Sequence, residues 1–222
     1  MKKKLCKITA LLLAAALSLG GCGQPGAGKK STDSTQQAEE QTWDTKDDQS
    51  KSDKKGPEIE GLTYESTMDL TYATEFDVYY YKDGYKLLYV HEDRQYLVVP
   101  EGKEAPEGLP ENLVVLQQPL DHIYMAATAI MSLVDAVDAI DQVKFSGVNA
   151  SGWYVEDAKK AMESGDMIYA GKYSEPDYET LVNGECDLAV ESTMILHTPK
   201  VQEMIEDLDI PVFVDYSSYE SH

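Results

Sequence analysis

The pattern of hydrophobic and polar positions divides the chain into three stretches after its amino-terminal segment. Residues 23–60 contain almost no large apolar side chain, so they cannot bury enough surface to offset their chain entropy. Residues 61–101 are dense in Tyr, Val, Leu and Thr, which is typical of β-strands. Residues 112–222 alternate short apolar runs with helical periodicity. The pattern predicts a disordered acidic tether, a small antiparallel β-meander and an α/β domain, in that order.

The predicted meander is the segment "MDLTYATEFDVYYYKDGYKLLYVHEDRQYLVVP". Polar interruptions at 82–84 and 91–94 divide it into three strands joined by two tight turns, and Asp83-Gly84 is a strong hairpin signal. Its many tyrosines have two interpretations. They suit a half-buried sheet face, and they also suit stacking on sugars, which leaves a surface adhesion or glycan-binding lipoprotein as an alternative function.

The third stretch predicts a parallel sheet flanked by helices with right-handed crossovers, since strand-like and helical patterns alternate along it. The predicted strands are residues 113–116, 142–145, 167–170, 188–190 and 212–214. The predicted helices are residues 123–137, 154–164, 176–184 and 198–208. The fold class is therefore α/β, preceded by the meander.

The amino terminus has the organisation of a secretion signal. Four lysines within residues 1–7 precede an apolar stretch over 8–19, which is too short to span a membrane. Leu19-Gly20-Gly21-Cys22 follows and resembles the lipobox of a bacterial lipoprotein. The resemblance implies cleavage before Cys22, lipidation of that cysteine, and an extracytoplasmic protein anchored to the cell membrane through the lipid.

Charge and cysteine content narrow the possible partners. The chain carries 40 acidic and 19 basic residues, a formal charge of −21, and such a surface repels phosphate backbones and anionic headgroups. We therefore expect no nucleic acid partner and membrane attachment through the lipid alone. Of three cysteines only Cys186 would remain free in the folded part, so we expect neither a disulfide framework nor a cysteine-based metal site.

Candidate ligand-binding residues are found by collecting the loops after the predicted strands, because ligands of open parallel sheets bind beyond the carboxyl ends of the strands. These loops are rich in hydroxyls, amides and aromatic rings. The candidates are Gln118, His122, Tyr124, Lys172, Tyr173, Glu191, Ser192, Tyr216, Ser217 and Tyr219.

Enzyme signatures are absent from the same loops. The sequence has no glycine-rich phosphate loop, no Gly-x-Ser-x-Gly and no His-Glu-x-x-His, and its four histidines lack metal-ligand spacing. We expect no catalytic residue, no metal and no cofactor. One alternative is a hydrolase in which His122, beside Asp121, acts as a base with Glu191 or Glu220, but Asp121 at a predicted helix start is more simply a helix cap.

Three segments carry a resemblance to a known family: "DAVDAIDQVKFSG", "WYVEDAKKAMESGDMIYAGKYSEPDYETLVNGECDLAVEST" and "IPVFVDYSSYESH". Together with the lipobox and the acidic tether they resemble the substrate-binding lipoprotein of an ABC importer. The similarity is closest to the class with a rigid interlobe helix, which serves iron-siderophore, haem and cobalamin uptake. It covers about residues 62–222, and residues 171–192 are its most specific part.

The resemblance implies specific partners and roles. Tyr173 matches an aromatic residue that faces ligand in the cleft. Glu179 matches the carboxylate that forms a salt bridge with an arginine of the permease, although an ordinary solvated helix face explains a glutamate there as well. The expected ligand is a metal chelate or a tetrapyrrole, and the expected partners are the permease subunits.

The family has two similar lobes, and the chain matches only the amino-terminal one, ending where the interlobe helix would begin. A single lobe forms half of a cleft, so we expect weak or undetectable ligand binding by this chain alone. A truncated lobe without independent function is a further alternative.

Overall fold

The computed structural model describes residues 55–91 and 94–220. The predicted signal peptide, the predicted lipidation site Cys22 and nearly all of the predicted tether lie outside these residues. The described residues contain two five-stranded sheets and a short hairpin, with α-helices packed against the second sheet. No helix within this part of the chain has the length and hydrophobicity needed to cross a membrane.

The first sheet is the predicted meander with one strand added at each side. Its strands are β1 (Tyr64–Thr67), β2 (Phe76–Tyr81), β3 (Lys86–Val90), β4 (Arg94–Val99) and β5 (Leu113–Gln117). They lie side by side in that order. The pairings from β1 to β4 are antiparallel, which confirms the meander. Asp83 takes a left-handed φ of 64° in the turn between β2 and β3, a conformation that Asp tolerates well.

Strand β5 was predicted in the parallel sheet of the α/β domain, and that assignment is wrong. It pairs in parallel with β4, with Tyr96 opposite Val114. The strand has apolar side chains on both faces: Leu113 packs in the core of the first sheet and Leu116 in the core shared with the second. An apolar run of this kind predicts a buried strand but not the sheet that it joins.

The second sheet is entirely parallel and confirms the α/β architecture. Its strands are β6 (Ile123–Met125), β7 (Val143–Ser146), β8 (Ile168–Tyr169), β11 (Leu188–Ser192) and β12 (Val212–Asp215). Their order is β12-β11-β6-β7-β8, so the first strand in sequence is the central one. The hairpin of β9 (Gly171–Lys172) and β10 (Glu175–Pro176) follows β8.

Three of the four predicted helices are confirmed within a few residues at each end. The helices of the structure are α1 (Met131–Ala136), α2 (Glu156–Ser164), α3 (Tyr178–Asn183) and α4 (Pro199–Glu206). The helix predicted over 123–137 is wrong in its first half, because Ile123–Met125 form the central strand β6. Pairing with β11 on one side and β7 on the other outweighs a helical spacing of apolar residues.

The tyrosines of the meander serve mainly as core residues. Tyr79, Tyr81, Tyr85 and Tyr96 are each at most 9% exposed, and burial raises the pKa of Tyr81 to about 12. Rings that lie inside the core cannot stack on a sugar. The half-buried sheet face is therefore the better interpretation of this cluster.

Tyr96 connects the two sheets. Its side chain extends from β4 to the edge strand β12, where the hydroxyl oxygen accepts a hydrogen bond from the Val214 N–H at 3.1 Å. Its ring lies 4.8 Å from that of Phe213. Val90, Tyr96 and residues of the second sheet belong to one continuous core, so the meander is packed against the α/β part.

Candidate ligand-binding site

The carboxyl ends of the five parallel strands meet at one edge of the second sheet, which we call the carboxyl edge. The order of the strands reverses at β6, with β7 and β8 on one side and β11 and β12 on the other. The loops that follow β6 and β11 therefore run in opposite directions and leave a space between them. In open parallel sheets the ligand crevice forms at the point where the strand order reverses in this way.

The loops after β6 and β7 approach each other closely at Gly147. A Cβ at this position would lie 2.7 Å from the Ala126 Cα atom, a separation that only glycine permits. The N–H groups of Ala126 and Ala127 donate to the Val190 carbonyl oxygen at 2.9 and 3.1 Å. Backbone contacts thus hold this part of the carboxyl edge in one conformation.

A buried polar contact fixes the loop after β7. Ser146 is fully buried; its Oγ donates to the Val148 carbonyl oxygen at 2.6 Å. The same Oγ accepts from the Trp153 indole N–H at 2.9 Å. Both polar groups of this buried pair are satisfied, which favours a rigid loop.

The β9–β10 hairpin brings Lys172 and Tyr173 to the carboxyl edge. Gly171 has a φ of +81°, and a Cβ there would lie 2.4 Å from the Glu175 carbonyl oxygen. The Tyr124 hydroxyl donates to the Gly171 carbonyl oxygen at 3.0 Å and secures the base of the hairpin. Lys172 is exposed and its Nζ lies 3.5 Å from a Glu175 carboxylate oxygen.

A cluster of aromatic side chains lies beyond the end of β12 and includes residues that follow strands of both sheets. The ring of Tyr216 stacks on that of His91 with centroids 4.3 Å apart and planes inclined by 13°. The His91 Nδ1 atom lies 2.5 Å from a Glu75 carboxylate oxygen. Tyr219, 54% exposed, has its ring 5.5 Å from that of Tyr216. The first sheet therefore contributes directly to this end of the carboxyl edge.

Glu191 on β11 has the most unusual environment among the candidates. Its side chain is fully buried, and neither carboxylate oxygen has a hydrogen-bond partner in the described residues. Burial raises the pKa of Glu191 to about 8, so its carboxyl group is mostly protonated at neutral pH. Tyr124 and Tyr178 lie near enough for the Glu191 charge to raise their pKa values further, after the larger effect of burial.

The structure brings seven of the ten candidate residues to the carboxyl edge. These are Lys172, Tyr173, Glu191, Ser192, Tyr216, Ser217 and Tyr219. Glu191 lies beneath that surface and does not face solvent. Ser192 ends β11, and its Oγ accepts from the Met194 N–H at 3.4 Å.

The other three candidates do not belong to the loops of the carboxyl edge, although the Tyr124 hydroxyl reaches the Gly171 carbonyl oxygen there. Gln118 follows β5 in the first sheet, and its N–H donates to the Val99 carbonyl oxygen. His122 precedes β6 and is at the opposite, amino edge of the second sheet, while Tyr124 is buried within β6. The predicted placement failed because β5 was assigned to the second sheet and β6 to a helix.

Asp121, His122 and Asp187 form a small cluster at the amino edge. The His122 Nδ1 atom lies 2.7 Å from Asp121 Oδ1 and 4.0 Å from Asp187 Oδ2. Potential ligand atoms of the three side chains lie within 4.8 Å of one another, close enough to hold a metal ion. Asp187 Oδ2 already accepts hydrogen bonds from the N–H groups of Asp121 and His122. These bonds order the loop and explain the position of Asp187 without a metal ion.

The cluster also bears on the hydrolase alternative. His122 lies just before Ile123, which pairs with Leu188, and Glu191 is three residues further along β11. A strand rises about 3.3 Å per residue, so His122 and Glu191 are separated by roughly 10 Å or more along the sheet. The structure does not bring this proposed acid–base pair together.

Sequence reasoning missed a cavity of about 350 Å³ between the two sheets. It is lined by Val78, Leu88 and Val90 from the first sheet and by Phe213 and Tyr216 at the end of β12. No local pattern predicts such a cavity, because it forms only when the two sheets pack together. Tyr216 and Ser217, both predicted candidates, lie at its border.

No family model matches the chain, and no curated protein matches it. The functional assignment therefore rests on the sequence resemblance and on the geometry of the carboxyl edge.

Proposed function

We propose that this protein is the solute-binding lipoprotein of an ABC importer and captures an iron-siderophore-like, haem or cobalamin ligand for delivery to the permease. In this proposal the second sheet and its helices are the amino-terminal lobe of a periplasmic-binding-protein fold. The observation that carries the proposal is the reversal of strand order at β6, with polar and aromatic loops at the carboxyl edge.

The exposed side chains at this edge suit a large, partly aromatic ligand. Tyr173 lies at the tip of the β9–β10 hairpin and is partly exposed, and Tyr219 is half exposed near the end of β12. Such rings offer flat contact area, and their hydroxyls together with Ser217 offer hydrogen bonds at the rim. The loops between them are held by backbone contacts, so the surface is formed before ligand arrives.

The exposure of Glu179 supports its proposed contact with a permease. It is exposed on α3, and its carboxylate forms no ion pair with any residue in the described ranges. An unpaired exposed carboxylate is available to a basic pocket of a membrane partner, where it would favour encounter and fix the register more than add affinity.

Ligand binding is tested by titrating the chain with ferrichrome, haemin or cyanocobalamin while recording amide NMR spectra. We expect one of the three to bind with a Kd of about 10–1000 µM, because one side of a cleft buries only part of a ligand. Tyr173→Ala and Tyr219→Ala should each weaken binding at least about fivefold, the loss expected for an aromatic contact.

Tyr72→Ala is the matched control, because Tyr72 is 86% exposed and belongs to the connection between β1 and β2. It should leave the titration unchanged. Absence of spectral changes with all three ligands at millimolar concentration would contradict the proposed function. Equal affinities of the two edge variants and the wild type would contradict the proposed site.

The anchoring of the protein is tested by expression in a bacterium supplied with radiolabelled palmitate. We expect label on the wild-type chain and its recovery with the membranes. Cys22→Ser should abolish both, because the thiol is the acceptor of the lipid. Cys186→Ser is the control, since Cys186 is buried. Membrane recovery of unlabelled Cys22→Ser protein would count against lipid anchoring.

A further inference from the structure

The cavity between the two sheets is lined almost entirely by apolar side chains. Val78, Leu88 and Val90 of the first sheet contribute to it, and so do Ile130 and Leu133 at the start of α1. Its volume of about 350 Å³ is near the lower limit of small-molecule sites. The cavity therefore suits a phenyl ring or a branched alkyl group and is too small for a whole siderophore or tetrapyrrole.

The three carboxylates at the border of this cavity belong to Glu75, Asp215 and Glu220, and each already has partners. The Glu75 carboxylate contacts the His91 Nδ1 atom at 2.5 Å. The Glu220 carboxylate accepts hydrogen bonds from the Thr74 and Glu75 N–H groups at 2.7 and 3.1 Å. Asp215 accepts the N–H and the hydroxyl of Ser217, both at 2.9 Å. These groups are engaged with the protein and are not free to bind a ligand in the cavity.

The remaining polar groups at the border are engaged as well. The Tyr216 side chain hydrogen-bonds to the Arg94 guanidinium. Within the described ranges, the buried side-chain atoms that lack a hydrogen bond belong to Asp187 and Glu191, and neither residue lines the cavity. A water molecule needs two to four polar partners to be well held. Water in this cavity is therefore poorly bonded, and a hydrocarbon group displaces it favourably.

Charge restricts the occupant to a neutral group. An anionic group would approach the three carboxylates, and no Lys, Arg or His occurs among the described residues that line the cavity. A cationic group would lose its hydration in an apolar space and would find the carboxylates already hydrogen-bonded. A neutral hydrocarbon group avoids both costs and gains the free energy of apolar burial.

The cavity adjoins the candidate solute site at the carboxyl edge. Tyr216 and Ser217 both line it and directly follow β12. The ring of Tyr219, 54% exposed, lies 5.5 Å from that of Tyr216. A solute that rests on Tyr219 and Ser217 consequently has an apolar cavity beside it.

We propose that this cavity is the apolar part of the solute site and takes a compact, neutral hydrocarbon arm of the solute, a role that rests on the proposed function. The polar body of the solute lies over Ser217 and Tyr219, and its arm lies between the two sheets. The solute class is thereby narrowed to a metal chelate or tetrapyrrole that carries an uncharged phenyl or branched alkyl group.

The apolar character of the cavity is tested with toluene, benzylammonium and benzoate, which share a phenyl ring and differ in charge. Each is titrated into the protein while methyl NMR signals of Val78, Leu88, Val90 and Ile130 are recorded. We expect toluene to shift these signals with a Kd at least tenfold lower than that of either charged probe.

The role in solute binding is tested with two chelates of equal charge, the gallium(III) complexes of benzohydroxamate and acetohydroxamate. They differ only in carrying a phenyl or a methyl arm, and the free hydroxamic acids are titrated as blanks. We expect the phenyl chelate to bind at least tenfold more tightly, because only its arm is large enough to fill the cavity.

One variant locates the binding. Leu133→Trp places a larger side chain at the mouth of the cavity, where Leu133 is 55% exposed. It should weaken toluene binding at least tenfold and remove the advantage of the phenyl chelate. Leu208→Trp is the matched control, because Leu208 is 38% exposed after the end of α4 and does not line the cavity. It should bind all probes as the wild type does.

The wild-type titrations decide the proposal even if Leu133→Trp fails to fold. Toluene binding no tighter than that of the charged probes, or undiminished in correctly folded Leu133→Trp, would overturn the proposal. Equal affinities of the two chelates, with toluene bound in the cavity, would overturn it and leave the proposed function intact. If toluene binds but neither the chelates nor ferrichrome, haemin or cyanocobalamin do, the proposed function fails, and the role of the cavity in solute binding fails with it.

Discussion

Replacing Glu191 with methionine is expected to stabilise the protein, by an amount that grows with pH. The folded protein keeps the Glu191 proton up to a pKa of about 8, whereas the unfolded chain releases it near the ordinary glutamate pKa of 4.5. Between these values the folded state binds more protons, so wild-type stability falls as pH rises. The slope is about 1.4 kcal/mol per pH unit.

At pH 7 Glu191 is ionised in the unfolded chain but protonated in the folded protein. Folding must therefore take up a proton at this residue, which lowers the free energy of unfolding by on the order of 3 kcal/mol. Methionine has a similar length and no group to ionise, so Glu191→Met removes this cost. The measurement is urea-induced unfolding at pH 5, 6, 7 and 8. The difference in free energy of unfolding between variant and wild type should increase through this range.

Glu163→Gln is the matched control, because Glu163 is exposed on α2 and its removal should give a difference that hardly changes with pH. Parallel pH profiles for Glu191→Met and the wild type would show that Glu191 ionises normally in the folded protein. The Glu191 carboxylate would then have to form hydrogen bonds with a water molecule or another partner in the folded protein.

Gly171→Ala is expected to destabilise the protein by about 3 kcal/mol or more. The new Cβ would lie 2.4 Å from the Glu175 carbonyl oxygen and 2.7 Å from the Asp177 backbone nitrogen. Backbone atoms at this distance cannot give way as a flexible side chain can. The hairpin must move, and the Tyr124 hydroxyl loses its acceptor at Gly171.

Gly165→Ala separates the clash from the cost of a left-handed backbone. Gly165 has a φ of +87°, close to the +81° of Gly171, but a Cβ there meets no atom within 4 Å. We expect Gly165→Ala to cost only about 1 kcal/mol in urea-induced unfolding. In Gly171→Ala the Asp177 N–H, which donates to Ala170, should also exchange with deuterium much faster. Equal losses for the two variants would rule out the clash as the cause.

The sequence was informative where the local pattern and the final environment agree. Strands β11 and β12 were predicted within two residues at each end, because "DLAVES" and "IPVFVD" are short apolar runs beside turns or helix ends. The end of α2 was equally clear, since Gly165 supplies the left-handed residue that commonly ends a helix. In each case the residues that decide the structure are neighbours in the chain.

Predictions failed where the decision depends on distant residues. Ile123–Met125 fit one face of a helix, and only the strands on both sides of this segment select the extended form. For the same reason β5 was assigned to the wrong sheet. These two errors displaced Gln118, His122 and Tyr124 from the site, whereas Lys172, Tyr173 and Tyr216 follow correctly assigned strands and lie where expected.

Features formed by the packing of the two sheets could not be predicted at all. The stacking of His91 on Tyr216 and the cavity beside it join segments that are far apart in the sequence. Neither segment contains a sequence motif that predicts contact with the other. The buried environment of Glu191 also depends on packing, because a glutamate after an apolar run more often marks the solvated end of a strand.

The hydrogen bond between Tyr96 and Val214 has a consequence for solubility. An open parallel sheet offers two free edges to which a strand of another molecule can add. On one edge the Tyr96 hydroxyl occupies the Val214 N–H of β12. The strand at the other edge, β8, is only two residues long. Neither edge of the second sheet offers a long ladder of free backbone groups, so copies of this protein crowded together have little opportunity to join through their parallel sheets.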